Sequence, residues 1–415
     1  MASLYDRAGG LSARSFRAST TYTDAMTVTG FASPEFSSVA ERFREFADAQ
    51  PEGGLALAVC VEGETVVDLI AGEAREGEPW TAETVSPVFS CTKGLSAVLV
   101  AQQVERGVID PEAPVATWWP EFASVSASLT VRQLLEHRAG LAAVRRDLTL
   151  DEVLNHDTLI AELLRQGPLW EPGVGHEYHS FTFGTLIDEL LRRATGTTVR
   201  ELFQENIAGP LGVDAWIGIP VSVEPRVAQL IPAGSFVPPP AQPGSPEDLS
   251  NRALSFGTAF PMSDALEPNR GFNSQRVHEA SLPGVNLITS ARALAEMWSA
   301  TVVPTRGVRL VSDDTVALMN ERTVVETPLW GTVGPFNRRG FGVMLENPEI
   351  TPLMSASSFG HDGFGGQAGY ADPHYRSSIA FATNYLVPGV QQHARWHALM
   401  RETRAALEAR AQRAN

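Results

Sequence analysis

The chain has 415 residues, 43% of them hydrophobic, with a formal net charge of -16 at pH 7. That length and apolar fraction can bury a large core in two or three domain-sized units, whereas so acidic a surface repels nucleic acid and anionic lipid, whose phosphates need outward-facing Lys and Arg. Two cysteines, Cys60 and Cys91, are too few for a disulfide framework or a cysteine-rich metal site, and they fit a reducing cytoplasm.

Residues 1–34 are rich in Ser, Thr, Ala and Arg and read as an N-terminal arm. They hold no continuous apolar stretch of the signal-peptide kind, and no run elsewhere reaches transmembrane length, so a cytoplasmic protein with no membrane partner is expected. Leu55 to Val61 and Thr65 to Ala71, split by Glu62, Gly63 and Glu64, predict an antiparallel hairpin. Ser90 to Glu105 predicts a helix that is apolar nearly all round, hence buried on most sides.

The middle of the chain offers short amphipathic helices near Val131 to His137, Asp157 to Gln166 and Phe181 to Ala194. Pro232 to Pro246 carries six prolines in fifteen residues, a stiff segment suited to the surface or to covering a cleft. Beyond Ser290 come a helix through Trp298, strands at Phe341 to Leu345, Gly366 to Ala371 and Ser378 to Asn384, and a terminal helix with Trp396, Leu399, Met400, Thr403 and Leu407 on one face. The pattern predicts an α+β fold: residues 35–110 and 286–415 form one discontinuous α/β domain with an antiparallel sheet flanked by helices, and residues 111–285 form a second, mainly helical domain.

Of 32 basic residues 31 are Arg, and the single Lys is Lys93. A guanidinium cannot release its proton near neutral pH, whereas a desolvated ammonium can. Proton chemistry therefore explains the exception. On a helix, Ser90 and Lys93 lie three apart on one face, within hydrogen-bond reach, and Ser90 at the N-terminus has free backbone N–H groups beside it. The plainer alternative makes Ser90 an N-cap and Lys93 a buried structural residue. Cys91 and Ser96 are rival nucleophiles, although one helical step turns Cys91 about 100° from Ser90.

Ser90-Cys91-Thr92-Lys93 resembles the S-x-x-K motif of the penicillin-recognising serine hydrolases, the class C β-lactamase-like superfamily, with a pattern most similar to family VIII carboxylesterases. Leu134-Leu135-Glu136-His137-Arg138-Ala139-Gly140-Leu141, Trp170-Glu171-Pro172-Gly173 with Tyr178, and Gly360-His361-Asp362-Gly363 are similar to further segments of that superfamily, in the same order. The resemblance implies a β-lactamase-like fold, Tyr178 as proton-transfer partner of Lys93, and an oxyanion hole from the backbone N–H groups of Ser90 and Phe364, the residue after Gly363.

Two departures bear on substrate. Tyr178-His179-Ser180 stands where many β-lactamases carry Tyr-x-Asn, and His361-Asp362-Gly363 stands where they carry Lys-Thr-Gly. A neutral His361 and an anionic Asp362 weaken the anchor for a substrate carboxylate, so uncharged short-chain acyl esters are expected. His361 would hydrogen-bond the Tyr–Lys pair or a substrate oxygen; Trp170, Trp330, Phe336 and Phe364 are candidates for an apolar acyl or alcohol pocket, His137 for a helix cap, and His176 and His179 for the cleft wall. No zinc-type histidine pair, phosphate loop or Gly-x-Ser-x-Gly elbow occurs, so neither cofactor nor metal is expected. The reading is a serine carboxylesterase acting on a small-molecule ester. Its alternatives are a β-lactamase, D-amino-acid peptidase or amide hydrolase using the same site, and a catalytically silent binding protein with this fold.

Overall fold

The computed structural model describes residues 26–321, 328–330 and 337–414. Its centre is a nine-stranded antiparallel sheet assembled from both ends of the chain. In spatial order the strands are Val28–Ala32, Glu64–Arg75, Gly54–Val61, Ser377–Thr383, Gln367–Asp372, Phe359–Gly363, Met344–Leu345 and Arg338–Arg339, with Glu78–Pro79 added beside Glu64–Arg75. The N-terminal hairpin meets the C-terminal strands where Val59 pairs with Ile379 and Leu57 with Phe381.

Period-two patterning fixes which residue faces which layer. Along Gly54–Val61, Leu55, Leu57, Val59 and Val61 join a core with the helices Ser37–Ala49 and Ala394–Ala414, to which Phe36, Val39, Phe43, Trp396, Leu399, Met400 and Leu407 also belong. The alternating Ala56, Ala58 and Cys60 are small and join the second core, under the helices Cys91–Glu105 and Ala291–Val302. Their small size lets the helix of Trp298 lie close on the sheet. Trp298 also contacts the Ser90 helix at Gly94, where an added Cβ would fall 2.7 Å from the indole.

Residues 111–285 carry the helices Val131–Leu135, His156–Gln166, Thr182–Thr195 and Pro246–Ser255. Thr130 and Thr198 start the helices after them with reciprocal capping boxes, to Gln133 and Glu201. This segment also gives the strand Ala215–Ile217, which pairs with Leu287–Thr289, itself paired with Ser86–Pro87 just ahead of Ser90. The fold is mixed α and β, an antiparallel sheet flanked by helices, as the sequence pattern predicted.

Two local expectations are corrected. Val28–Ala32, inside the stretch read as an arm, is an edge strand on Glu64–Arg75, with Gly30 opposite Leu69. Its two ends are the more covered positions and its centre is open, so it carries little hydrophobic signal. The strand expected over Phe341 to Leu345 shrinks to Met344–Leu345, because Gly342 takes a φ of 73° and turns the chain. Both cysteines are buried and free. No helix among the described residues is long and apolar enough to cross a membrane.

Candidate active site

The chain reaches Ser90 through a strained step: Phe89 has a φ of 46°, unusual for a bulky aromatic residue. Thr92 holds this turn. Its hydroxyl donates to the Phe89 carbonyl and accepts from the backbone N–H of Leu287 at 2.9 Å. Ser90 is the N-cap of the helix Cys91–Glu105, yet its side chain makes no capping bond. The hydroxyl is left to the cleft, contrary to the plainer alternative of a capping serine.

Lys93 is fully buried, and its Nζ lies 3.0 Å from Ser90 Oγ and 2.8 Å from the Gly284 carbonyl oxygen. Burial pushes its pKa well below the ordinary lysine value, and the Arg339 guanidinium pushes the same way against weaker opposition from Asp362 and Cys91. A free amine beside a serine hydroxyl is an acceptor for that hydroxyl's proton. The rival nucleophiles are otherwise engaged: Cys91 Sγ contacts the His361 carbonyl at 3.3 Å, burial raises its thiol pKa well above the usual range, and Ser96 Oγ donates to the Pro283 carbonyl at 2.7 Å.

Tyr178 comes from the loop before the helix Thr182–Thr195. Lys93 Nζ sits 4.9 Å from the centre of its ring, and its hydroxyl has a hydrogen-bonding interaction with the Ser90 side chain. Burial raises the phenol pKa above its ordinary value; Arg339 and Ser90 act to lower it. Burial thus favours the protonated phenol and the neutral amine side by side.

Two histidines hold the tyrosine loop. His179 Nε2 accepts from the Leu141 N–H at 3.1 Å and its Nδ1 donates to the Glu177 carbonyl at 2.7 Å, while the His179 N–H donates to His137 Nδ1 at 3.1 Å. The Glu177 N–H adds a bond to the His137 carbonyl. Burial, the leading cause, keeps both rings neutral: it takes His137 well below its ordinary pKa and His179 to about 4. His137, at φ 64° just past the helix Val131–Leu135, does close that helix: its N–H donates to the Leu134 carbonyl and the Arg138 N–H to the Gln133 carbonyl. The expectation for His179 is corrected, because it does not line the cavity; together the two histidines tie the Leu134 to Leu141 segment to the tyrosine segment. His176 also lies off the cleft, with burial taking it to about 4.

The strand Phe359–Gly363 forms the opposite wall. A Cβ on Gly363 would meet the Val88 carbonyl oxygen at 2.3 Å, so only glycine lets this strand end beside the Ser90 turn. His361 is buried, and its Nδ1 donates to the Asp362 carbonyl at 2.7 Å, which leaves Nε2 with its lone pair and no partner among the described residues. Neutral in this tautomer, it accepts a hydrogen bond and cannot donate one to an ester carbonyl, which narrows the role expected of it. Asp362 Oδ2 lies 3.5 Å from His393 Nδ1.

A cavity of about 350 Å³ joins these groups, lined by Ser90, Tyr178, Ser180, His361, Gly363 and Phe364 among others. Phe89 contacts Phe272 at 5.0 Å and Phe364 at 5.5 Å, giving one apolar wall. Phe236, from the proline-rich loop, packs on the cavity-lining Phe364 at 4.7 Å, although no residue of that loop itself lines the cavity. Trp170 and Trp330 do not line the cavity; their rings meet edge-on at 5.9 Å, behind His179, and Phe336 lies outside the described residues. The sequence reading missed Arg339, whose guanidinium sits 4.9 Å from the Tyr178 ring and which lines the same cavity. Among 31 arginines nothing in the sequence set it apart.

Residues 39–403 match the Beta-lactamase family. The chain belongs to the beta-lactamase family. Within it, the chain is 33% identical to the esterase/beta-lactamase LipL of Mycobacterium tuberculosis over 367 residues, covering 87% of this chain and 83% of that protein. Among solved structures it is similar to EstA from Arthrobacter nitroguajacolicus, at 31% identity with a TM-score of 0.81 over 92% of this chain and 98% of that one. A family VIII carboxylesterase is similar at 29% identity, with a TM-score of 0.80 over 92% of this chain and 100% of that one. This member of the beta-lactamase family is a serine hydrolase.

Proposed function

We propose that the protein is a carboxylesterase for short-chain acyl esters, with Ser90 as nucleophile and Lys93 and Tyr178 as its proton-transfer pair. The observation that carries this is the buried Lys93 nitrogen 3.0 Å from Ser90 Oγ, held toward its neutral form by burial. As Oγ bonds to the ester carbonyl carbon, the Lys93 amine takes the hydroxyl proton. The backbone N–H groups of Ser90 and Phe364 receive the oxyanion, each donor being worth about 3 kcal/mol in such a transition state. Collapse breaks the ester C–O bond, and the departing alkoxide takes a proton through Tyr178 from the Lys93 ammonium. Water then attacks the acyl-enzyme, its proton passes to the same pair, and Ser90 is released with the free acid.

The esterase names of LipL, EstA and the family VIII structure support ester hydrolysis over a silent binding role. LipL is also named a β-lactamase, which keeps β-lactam hydrolysis as the second reading. The deciding experiment pairs 4-nitrophenyl butyrate with a chromogenic cephalosporin, each on wild type and Ser90→Ala. Ester turnover abolished by the substitution supports the esterase; serine-dependent cephalosporin turnover without ester turnover supports the second reading. A fluorophosphonate that labels nothing in the wild type would make the fold a binding scaffold.

A further inference from the structure

The cavity contains a cation that biases the Lys93 amine through space but to which the ester mechanism gives no contact with substrate. Arg339 lines it, partly exposed to it, and among the described residues no carboxylate lies within 4.0 Å of the guanidinium nitrogens. The one acid that lines the same cavity, Asp362, is turned to histidines instead, with Oδ1 3.7 Å from His361 Nδ1 and Oδ2 3.5 Å from His393 Nδ1. On the cleft side Arg339 lies over the Tyr178 ring, 4.9 Å from its centre. A half-buried guanidinium that feels Asp362 only at a distance and touches no carboxylate gains from one that a ligand brings into contact.

The cavity is also divided. Phe89, Phe181, Phe272 and Phe364 are linked by ring contacts of 5.0, 5.5 and 6.0 Å into one apolar wall. Arg339, with Tyr178 and His361, belongs to a polar side, where the two rings are 6.2 Å apart. Ser90 opens onto the same space. A substrate spanning both would carry a hydrocarbon part, a scissile ester, and an anionic group within reach of the arginine.

We infer that Arg339 is a specificity-determining residue that pairs with a carboxylate of the substrate, so that the preferred substrates are esters bearing a carboxylate a few bonds from the scissile carbonyl. This rests on the esterase reading and refines it, replacing the uncharged ester expected from His361-Asp362-Gly363. An Arg can grip a carboxylate with two parallel hydrogen bonds, which a neutral ester cannot use. The chain's net charge of -16 repels anions at long range, so any preference for them must come from this local contact.

The test compares matched substrates. 4-Nitrophenyl hydrogen adipate against 4-nitrophenyl hexanoate places the charge in the acyl part, and 4-carboxyphenyl butyrate against phenyl butyrate places it in the alcohol. The wild type should give a kcat/KM for at least one anionic ester equal to or above that of its neutral partner. Arg339→Gln should lower that ratio about tenfold or more, and Arg339→Lys should restore part of it. Ratios unchanged by Arg339→Gln in both pairs, or a wild type that disfavours both anions more than tenfold, would overturn the inference. Absence of turnover with all four esters would count against the esterase reading instead. Calorimetric titration with monomethyl adipate then reads the anion site by itself: binding lost in Arg339→Gln supports it, and equal binding or none refutes it.

Discussion

Lys93 Nζ and Ser90 Oγ are 3.0 Å apart at the head of a helix whose first thirteen residues are all buried. The same burial that makes the amine a base makes it a liability for the fold, because a charged ammonium there has lost its water. Function and stability therefore pull in opposite directions at one atom, and several outcomes can be worked out from that opposition.

Lys93→Met should stabilise the protein while removing its activity. The folded pKa of Lys93 lies below its value in the unfolded chain, near 10.5. Between those two values the unfolded chain binds more protons, so the lysine's contribution to stability rises with pH, and below both values its full cost is present. Replacement by methionine, of similar shape, should raise Tm by about 3 °C or more at pH 6.5, with the gain shrinking as pH approaches 10. Thermal melts of both proteins at three pH values check this; a lower Tm for the variant throughout would show that the bonds to Ser90 and Gly284 outweigh desolvation.

The pH dependence of catalysis has a defined sign as well. Lys93 must be unprotonated to accept from Ser90, so kcat/KM for a neutral ester should rise with pH along one acid limb. Its midpoint should fall well below the ordinary 10.5 because burial, aided by Arg339, disfavours the ammonium. A rate profile from pH 5 to 10 locates the limb, and a rate that fell on raising pH through neutrality would contradict a free-amine base.

Gly363→Ala should be severe for a backbone reason. The new Cβ would sit 2.3 Å from the Val88 carbonyl oxygen, an atom with no flexible side chain to yield. The strand must then move off the Ser90 turn and carry Phe364 with it, so kcat should fall by about a hundredfold, the scale of losing one oxyanion donor. Steady-state kinetics with 4-nitrophenyl butyrate provide the measurement; an unchanged kcat would remove Phe364 from the proposed oxyanion hole.

His179→Ala tests a positioning role. Removing the ring strands the buried Leu141 N–H and frees the loop of Tyr178, at a cost of about 1–3 kcal/mol for the unsatisfied donor. Expected are a lower Tm and a kcat reduced about tenfold with KM less affected, since this histidine does not itself line the cavity. Full activity at a temperature where the variant is folded would mean that Tyr178 keeps its place without help.

How much of this was legible in the sequence varies with the physics of each part. The buried helix after Ser90, the Gly54–Val61 hairpin strand and the terminal helix were readable because their patterns are periodic, and Lys93 because it has no other lysine to hide among. Val28–Ala32 was missed because an edge strand buries little and so needs little pattern. His179 was assigned to the cleft wall, and its tie to the His137 ring was missed, because these bonds join residues about forty positions apart, a pairing that no local spacing encodes. Arg339 was invisible for the opposite reason to Lys93: its residue type is abundant, and only its place above Tyr178 distinguishes it.

The central claim, that a proton passes from Ser90 to the Lys93 amine, is tested most directly by kcat of Lys93→Arg on 4-nitrophenyl butyrate, alongside a melt to establish that the variant is folded. Arginine keeps the positive charge and the reach but cannot give up its proton near neutrality, so kcat should fall at least about a hundredfold. A folded Lys93→Arg protein with a near-normal kcat would contradict the account.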